Sequence, residues 1–152
     1  MDDICLIEKG RDEIILLISR SNLKMISMPP GRIKQLLSES ETSKRLLSFL
    51  MEENIHLKNR LSEILKSDFK ASLLAKLENY QTNFLHTDNT VTLLRNEVAD
   101  FEKLLAVASI EKGYADKNLE DQLALVRHHI ILAEISFRSL QSSFNHYLSN
   151  NI

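Results

Sequence analysis

The chain has very few of the residues that make turns and break helices. Its 152 residues include three glycines, two prolines and no tryptophan. Three scattered glycines cannot build the glycine-rich loop that cradles phosphate in nucleotide-binding proteins. Because glycine and proline punctuate short elements, their scarcity favours long helices over strands joined by turns.

The chain also has a single cysteine and a small net charge. The single cysteine, Cys5, excludes an intramolecular disulfide and fits a reducing compartment. Acidic Asp2 and Asp3 stand where a signal peptide would be basic, and the apolar run at 14–18 is far shorter than the ~20 residues of a membrane span. A net charge of −2 predicts no surface for polyanions. We therefore predict a cytoplasmic protein with no membrane segment.

Motifs that carry chemistry are also missing. Glu53 and His56 form one Glu-x-x-His pair, which is half of the repeated motif of a di-iron bundle. Adjacent His128 and His129 point to different sides of a helix and cannot share a metal as residues i and i+4 do. Cys5 has no evident base, which argues against a nucleophile. We predict no catalytic residue, no cofactor and no metal, and hence a protein that is not an enzyme.

The sequence has instead a long apolar repeat on each side of Gly113. Its members step by four and three, which is the 3.5-residue period of helices packed in a coiled coil. Poor helix formers at 86–90 keep this phase, so we expect a continuous helix there. Before Gly113 the repeat comprises Leu73, Leu77, Tyr80, Phe84, Thr87, Val91, Leu94, Val98, Phe101, Leu105 and Ala108. After it come Leu119, Leu123, Val126, Ile130, Ala133, Phe137, Leu140, Phe144 and Tyr147.

The two repeats predict a long antiparallel helical hairpin. Gly113 suits the C-terminal cap of a helix, because glycine adopts the left-handed conformation at no steric cost. Packing one repeat on the other places Leu94 opposite Ile130 and Tyr80 opposite Phe144, with the fold-back centred at residue 112. The alternative is one uninterrupted helix, since a single helical glycine costs only ~1 kcal/mol.

A further helix precedes the hairpin. Ser38 and Glu41 have the spacing of a capping box, which predicts a helix from about residue 40 to residue 66. Asn54 stands at an a position of its repeat, where a buried asparagine fixes register and strand number in parallel two-stranded coils. The alternative places Asn54 at the edge of a helix in a bundle. We expect self-association through this repeat, which comprises Leu47, Leu50, Asn54, Leu57, Leu61 and Ile64.

The predicted fold is all-α, with helices at about 40–66, 69–110 and 115–149 in one domain over 38–152, behind a poorly defined N-terminal segment over 1–37. Asp116 suits the N-cap of the last helix. Between Ile64 and Leu73 the repeat loses register. Either one helix runs on and 40–66 projects, or Ser67 and Asp68 form a turn, Asp68 caps the next helix and a three-helix bundle results. A dimeric four-helix bundle with 40–66 as a zipper would also satisfy every repeat.

For function, the patterns indicate only a class. We predict a non-enzymatic helical interaction or scaffolding protein, a homodimer or other homo-oligomer, with a protein partner in a helix groove. The alternatives are a nucleic-acid-binding helical arm and a small helical-bundle enzyme or ligand carrier. Glu63 and Asp68 interrupt the only basic run, which disfavours nucleic acid. That run comprises Lys58, Arg60, Lys66 and Lys70.

Overall fold

The computed structural model describes residues 31–152 as three long helices. Helix α1 spans Arg32–Lys66, a 3-10 turn spans Ala71–Leu73, α2 spans Leu74–Glu111 and α3 spans Lys117–Asn151. Helices make up 91% of this part of the chain, which contains no strand. The prediction of an all-α fold is confirmed. Residues 1–30, which form most of the predicted N-terminal segment and include Cys5, lie outside the described residues.

Helix α1 begins earlier than the capping-box spacing predicts. The backbone N–H of Gln35 donates to the carbonyl of Gly31 at 3.0 Å, so helical hydrogen bonding is already established there. Ser38 and Glu41 lie inside the helix. Buried Leu36, Ser40 and Ser43 extend the repeat of this helix backwards with the same spacing of four and three. An apolar repeat does not include the two serines, because their side chains are polar although they are small enough to be buried.

The chain turns back between α1 and α2. The N–H and the side-chain hydroxyl of Ser67 donate to the carbonyl of Ile64 at 3.0 and 2.8 Å. The following 3-10 turn has Lys70 at its N-cap and no side-chain cap, so Asp68 does not have the capping role that the turn alternative gave it. The alternative of one helix that runs on through this segment is wrong, and the chain folds back into a three-helix bundle.

The predicted hairpin is confirmed at Gly113. Its φ of 75° lies in the left-handed region, and the N–H groups of Lys112 and Gly113 both donate to the carbonyl of Ala108 at 2.9 Å. The Asp116 carboxylate accepts the N–H of Leu119 at 3.0 Å, as an N-cap does. This hydrogen bond, then that from Lys112, lowers the pKa of Asp116. The single uninterrupted helix is therefore excluded.

The described part of the chain divides into two compact units. Its first unit comprises, among the described residues, 31–39 and Phe101–Ala124. In it the Arg32 guanidinium forms ion pairs with Glu120 and Glu39, which join the start of α1 to α3. The core of this unit, with Ile33 packed against it, consists of Leu36, Phe101, Leu105, Ala108, Ala115, Leu119 and Leu123.

The second unit comprises Ser40–Asp100 and Leu125–Ile152. All three helices contribute to its core. The rings of Tyr80 and Phe144 lie 5.1 Å apart between centroids, and the Tyr80 hydroxyl contacts the hydroxyl of Ser143 at 2.7 Å. This pairing confirms the register expected from the repeats. The weak helix formers at 86–90 leave α2 unbroken, as predicted.

Candidate interaction surface

The repeat predicted for self-association is buried inside one chain. In the second unit its side chains pack against α2 and α3, and Asn54 is fully buried rather than at a helix edge. Leu47, Leu50, Leu57 and Leu61 are at most 7% exposed, and Ile64 packs against them. Self-association stays a prediction. Because this repeat is buried within one chain, a second copy would have to contact other residues.

The partners of Asn54 are on α2 of the same chain. Its side-chain amide donates to the carbonyl of Phe84 at 2.9 Å and to the Asp88 carboxylate at 2.7 Å. The other Asp88 oxygen accepts a hydrogen bond from Lys58, so one residue of the basic run is already paired within the chain. The Asn54 carbonyl oxygen is buried and has no partner. The network fixes α1 against α2. The sequence analysis predicted burial only for Asn54, and it placed Lys58 in the basic run and Asp88 among the weak helix formers at 86–90.

A second polar network fixes α1 to α3. The Glu53 carboxylate accepts hydrogen bonds from Arg138 at 2.6 Å and from Gln141 at 3.0 Å. Burial acts to raise the pKa of Glu53, but the hydrogen bonds from Arg138 and Gln141 outweigh it and the pKa lies below its usual value. The Arg138 guanidinium also lies over the rings of Phe49 and Phe137, at 5.4 and 5.6 Å from their centroids. Glu53 therefore serves to hold α1 against α3.

An open groove runs between α2 and α3. All of its lining residues belong to these two helices, and α1 contributes none. Leu94 and Ala133 contribute to its lining, and Leu93 and Leu132 flank it with 64% and 51% of their surface exposed. The His129 ring contacts the Glu97 carboxylate across the groove at 2.8 Å. The remaining lining residues are His86, Thr90 and Ser136.

Helix α3 carries a second apolar row on its solvent face, which we call the outer row. Its members step by three, four and three along the helix, with Ile131 beside them, 53% exposed. The outer row comprises Leu125, His128, Leu132 and Ile135, whose apolar members are 52, 51 and 61% exposed. Exposed apolar residues that share one helix face, unlike scattered ones, are typical of interaction surfaces.

Charged residues are scarce in the part of this helix that follows residue 121. Between residues 122 and 152 only Arg127, Glu134 and Arg138 are charged. Arg127 and Glu134 each stand two residues after a leucine of the outer row, which places them about 200° around the helix from it. Arg138 turns to Glu53 on α1. The outer row therefore contains no Asp, Glu, Lys or Arg residue.

Other sites have less support among the described residues. No group of three His, Cys, Asp or Glu side chains there could hold a metal ion. Within residues 31–152, no helix combines the length and apolarity needed to cross a membrane. The first unit also exposes apolar side chains, including Ile110 at 85% and Val107 at 49%.

Comparisons with known proteins give no further assignment. The chain matches no family model, no curated protein and no solved structure.

Proposed function

We propose that this protein is a non-enzymatic helical interaction protein that self-associates in the cytoplasm through exposed apolar helix surface. One observation carries the proposal, namely the outer row of α3 and its freedom from charge. The centres of protein interfaces are depleted of charged residues, whereas ordinary solvent-facing helix surface is rich in them.

The internal polar contacts support the same assignment. Asn54 and Lys58 of α1 both donate to the Asp88 carboxylate of α2, and Arg138 of α3 donates to the Glu53 carboxylate of α1. These groups therefore serve to fix helices, and a bundle with fixed helices presents its outer faces in a constant arrangement. This is what a scaffold requires.

Self-association is tested by measuring the molar mass of the purified full chain. We expect light scattering coupled to size exclusion, and sedimentation equilibrium between about 1 and 300 μM, to show a mass that rises with concentration from monomer to dimer. A monomer throughout this range would refute the proposed function. A salt titration from low to high ionic strength is the control, because apolar association does not weaken with salt as ion pairing does.

A further inference from the structure

The middle of α2 contains a run of residues that form helix poorly, which we call the weak segment. It comprises His86, Thr87, Asp88, Asn89 and Thr90. All five residue types have low helix propensity, and Asp and Asn compete with the helix by bonding to nearby backbone groups in other conformations. The structure nevertheless has one continuous helix over Leu74–Glu111. The contacts that the weak segment makes with the rest of the bundle therefore matter for its helical state.

Two side chains of α1 occupy the carboxylate of Asp88. The Asn54 amide donates to one of its oxygens and the Lys58 ammonium donates to the other. An aspartate is also among the best N-caps, because its carboxylate accepts an N–H two or three residues further along the chain. The side chains of α1 therefore compete with the backbone of α2 for this carboxylate. Once released, Asp88 could cap a helix that begins at Asn89.

The preceding turn of α2 already has donors that a break at Asp88 would require. In an α-helix the N–H of residue 88 donates to the carbonyl of Phe84, and a break withdraws it. That carbonyl also accepts the Asn54 amide at 2.9 Å, so it keeps a donor when the N–H turns away. The Thr87 hydroxyl donates to the Asn83 carbonyl at 3.1 Å, a contact that often accompanies a helix bend. These bonds lower the cost of breaking α2 at this point.

We propose that the weak segment is a hinge in α2 and that α1 holds it in the helical state through Asn54 and Lys58. In the closed state Asp88 is bound across the α1–α2 interface and α2 is continuous. In the open state the Asp88 carboxylate caps a second helix that begins at Asn89, and Asn54 keeps its bond to the Phe84 carbonyl. The inference goes beyond the proposed function, because it concerns a single chain and does not require self-association.

Amide hydrogen exchange of the full chain, followed by NMR, measures the opening of the hinge. Lys58→Met removes one donor to Asp88 and keeps an unbranched apolar side chain. We expect it to raise the exchange rates of the Asp88 and Asn89 amides about threefold. The rate at Val98, further along α2, should not change. The matched control is Lys66→Met at the end of α1, which should leave all these rates within about twofold of the original. Unchanged rates at Asp88 and Asn89 in Lys58→Met, or an equal rise at Val98, would overturn the proposal.

A matched pair of substitutions at residue 88 tests the cap itself. Asp88→Ser and Asp88→Val both remove the carboxylate from Asn54 and Lys58, and serine and valine have similar helix propensities. Serine is a strong N-cap, whereas valine is a poor one. If residue 88 caps the second helix of the open state, the Asn89 amide should exchange about fivefold faster in the serine variant than in the valine variant. Circular dichroism of each variant checks that the helices remain. Equal rates in the two variants would show that residue 88 forms no cap, and the hinge would be refuted.

Discussion

Replacing Asn54 with aspartate is the sharpest test of the core. The two side chains have the same shape, but the amide that donates becomes a carboxylate that only accepts. The introduced oxygen would lie about where the amide nitrogen lies now, 2.7 Å from a carboxylate oxygen of Asp88 and 2.9 Å from the Phe84 carbonyl. Asn54→Asp therefore turns two hydrogen bonds into two repulsive contacts.

The magnitude follows from the two hydrogen bonds that the substitution removes. The bond to Asp88 involves a charged acceptor and is worth about 1.5–3 kcal/mol, and the bond to the Phe84 carbonyl about 0.5–1.5 kcal/mol. A buried charge without a partner adds a cost of about 3–5 kcal/mol until it takes up a proton. We expect Asn54→Asp to lower the free energy of unfolding by at least about 3 kcal/mol at pH 7.

Leucine at the same position is the control. Asn54→Leu loses the same two hydrogen bonds, but it removes a buried carbonyl oxygen that has no partner, which relieves about 1–3 kcal/mol, and it buries apolar surface worth about 1.5–3 kcal/mol. Overpacking of the site opposes these gains by about 1–3 kcal/mol. We expect the leucine variant to be within about 2 kcal/mol of the original protein.

Urea unfolding followed by circular dichroism at pH 7 and pH 5 measures both variants. The aspartate variant should recover part of its loss at pH 5, because the introduced carboxyl, once protonated, can donate to Asp88 again. If aspartate is tolerated at pH 7 as well as leucine is, the side-chain amide of Asn54 does not donate to Asp88 in the folded protein, and the reasoning is refuted.

Three smaller predictions concern the turn and the α1–α3 contact. Gly113→Ala should cost about 1 kcal/mol from the positive φ alone, since a Cβ there meets nothing within 4 Å, whereas Gly31→Ala, equally uncrowded and without a positive φ, should not destabilise in the same urea assay. Asp116→Ala should lower the free energy of unfolding by about 1 kcal/mol at pH 7, because the N-cap is lost. Asp116→Asn should keep the cap and should lose less stability than the original protein as the pH falls below about 4. The reason is that the lowered pKa of Asp116 makes the contribution of its carboxylate present above that pH and progressively lost below it. Glu53→Gln should cost about 0.2–1 kcal/mol at pH 7, measured by urea unfolding. Because the pKa of Glu53 is also lowered, this difference should shrink progressively as the pH falls below about 4, and a difference that stays constant would contradict the ion pair with Arg138.

The hairpin could be predicted from sequence because its evidence is periodic. Heptad spacing identifies most of the buried residues of α2 and α3, although Leu148 is buried where the repeat has Tyr147. Gly113 marks where the chain reverses, so the pairing of Tyr80 with Phe144 could be predicted. The bounds of α1 could not be predicted as well. Ser40 and Ser43 are core residues here, and a pattern scored on apolar residues stops at Leu47.

The role of Asn54 shows a second limit of sequence reasoning. Its a position indicates burial in a coil, but the position alone does not say which helix supplies the partner. Asp88 lies among weak helix formers, where composition suggests a weak point in the helix rather than a hydrogen-bond acceptor. Only the fold-back of α1 onto α2 brings the two side chains together. Tertiary contact therefore explains a polar cluster that local propensity marks as unfavourable.

Two members of the outer row, Leu132 and Ile135, and their neighbour Ile131 are visible in the sequence as apolar residues outside the repeat of α3. Apolar residues on several faces of a helix indicate that more than one face is buried. Besides the face of α3 that packs on α2, however, only the face that packs on α1 is covered within the described part of the chain. In the structure α1 contacts α3 at Arg138 and Gln141, and the outer row remains exposed. The core that residues 31–152 form is complete without these side chains, so packing within this part of the chain does not explain their apolar character. Self-association through these side chains is the explanation that follows from the proposed function, and the dependence of the molar mass on concentration tests it.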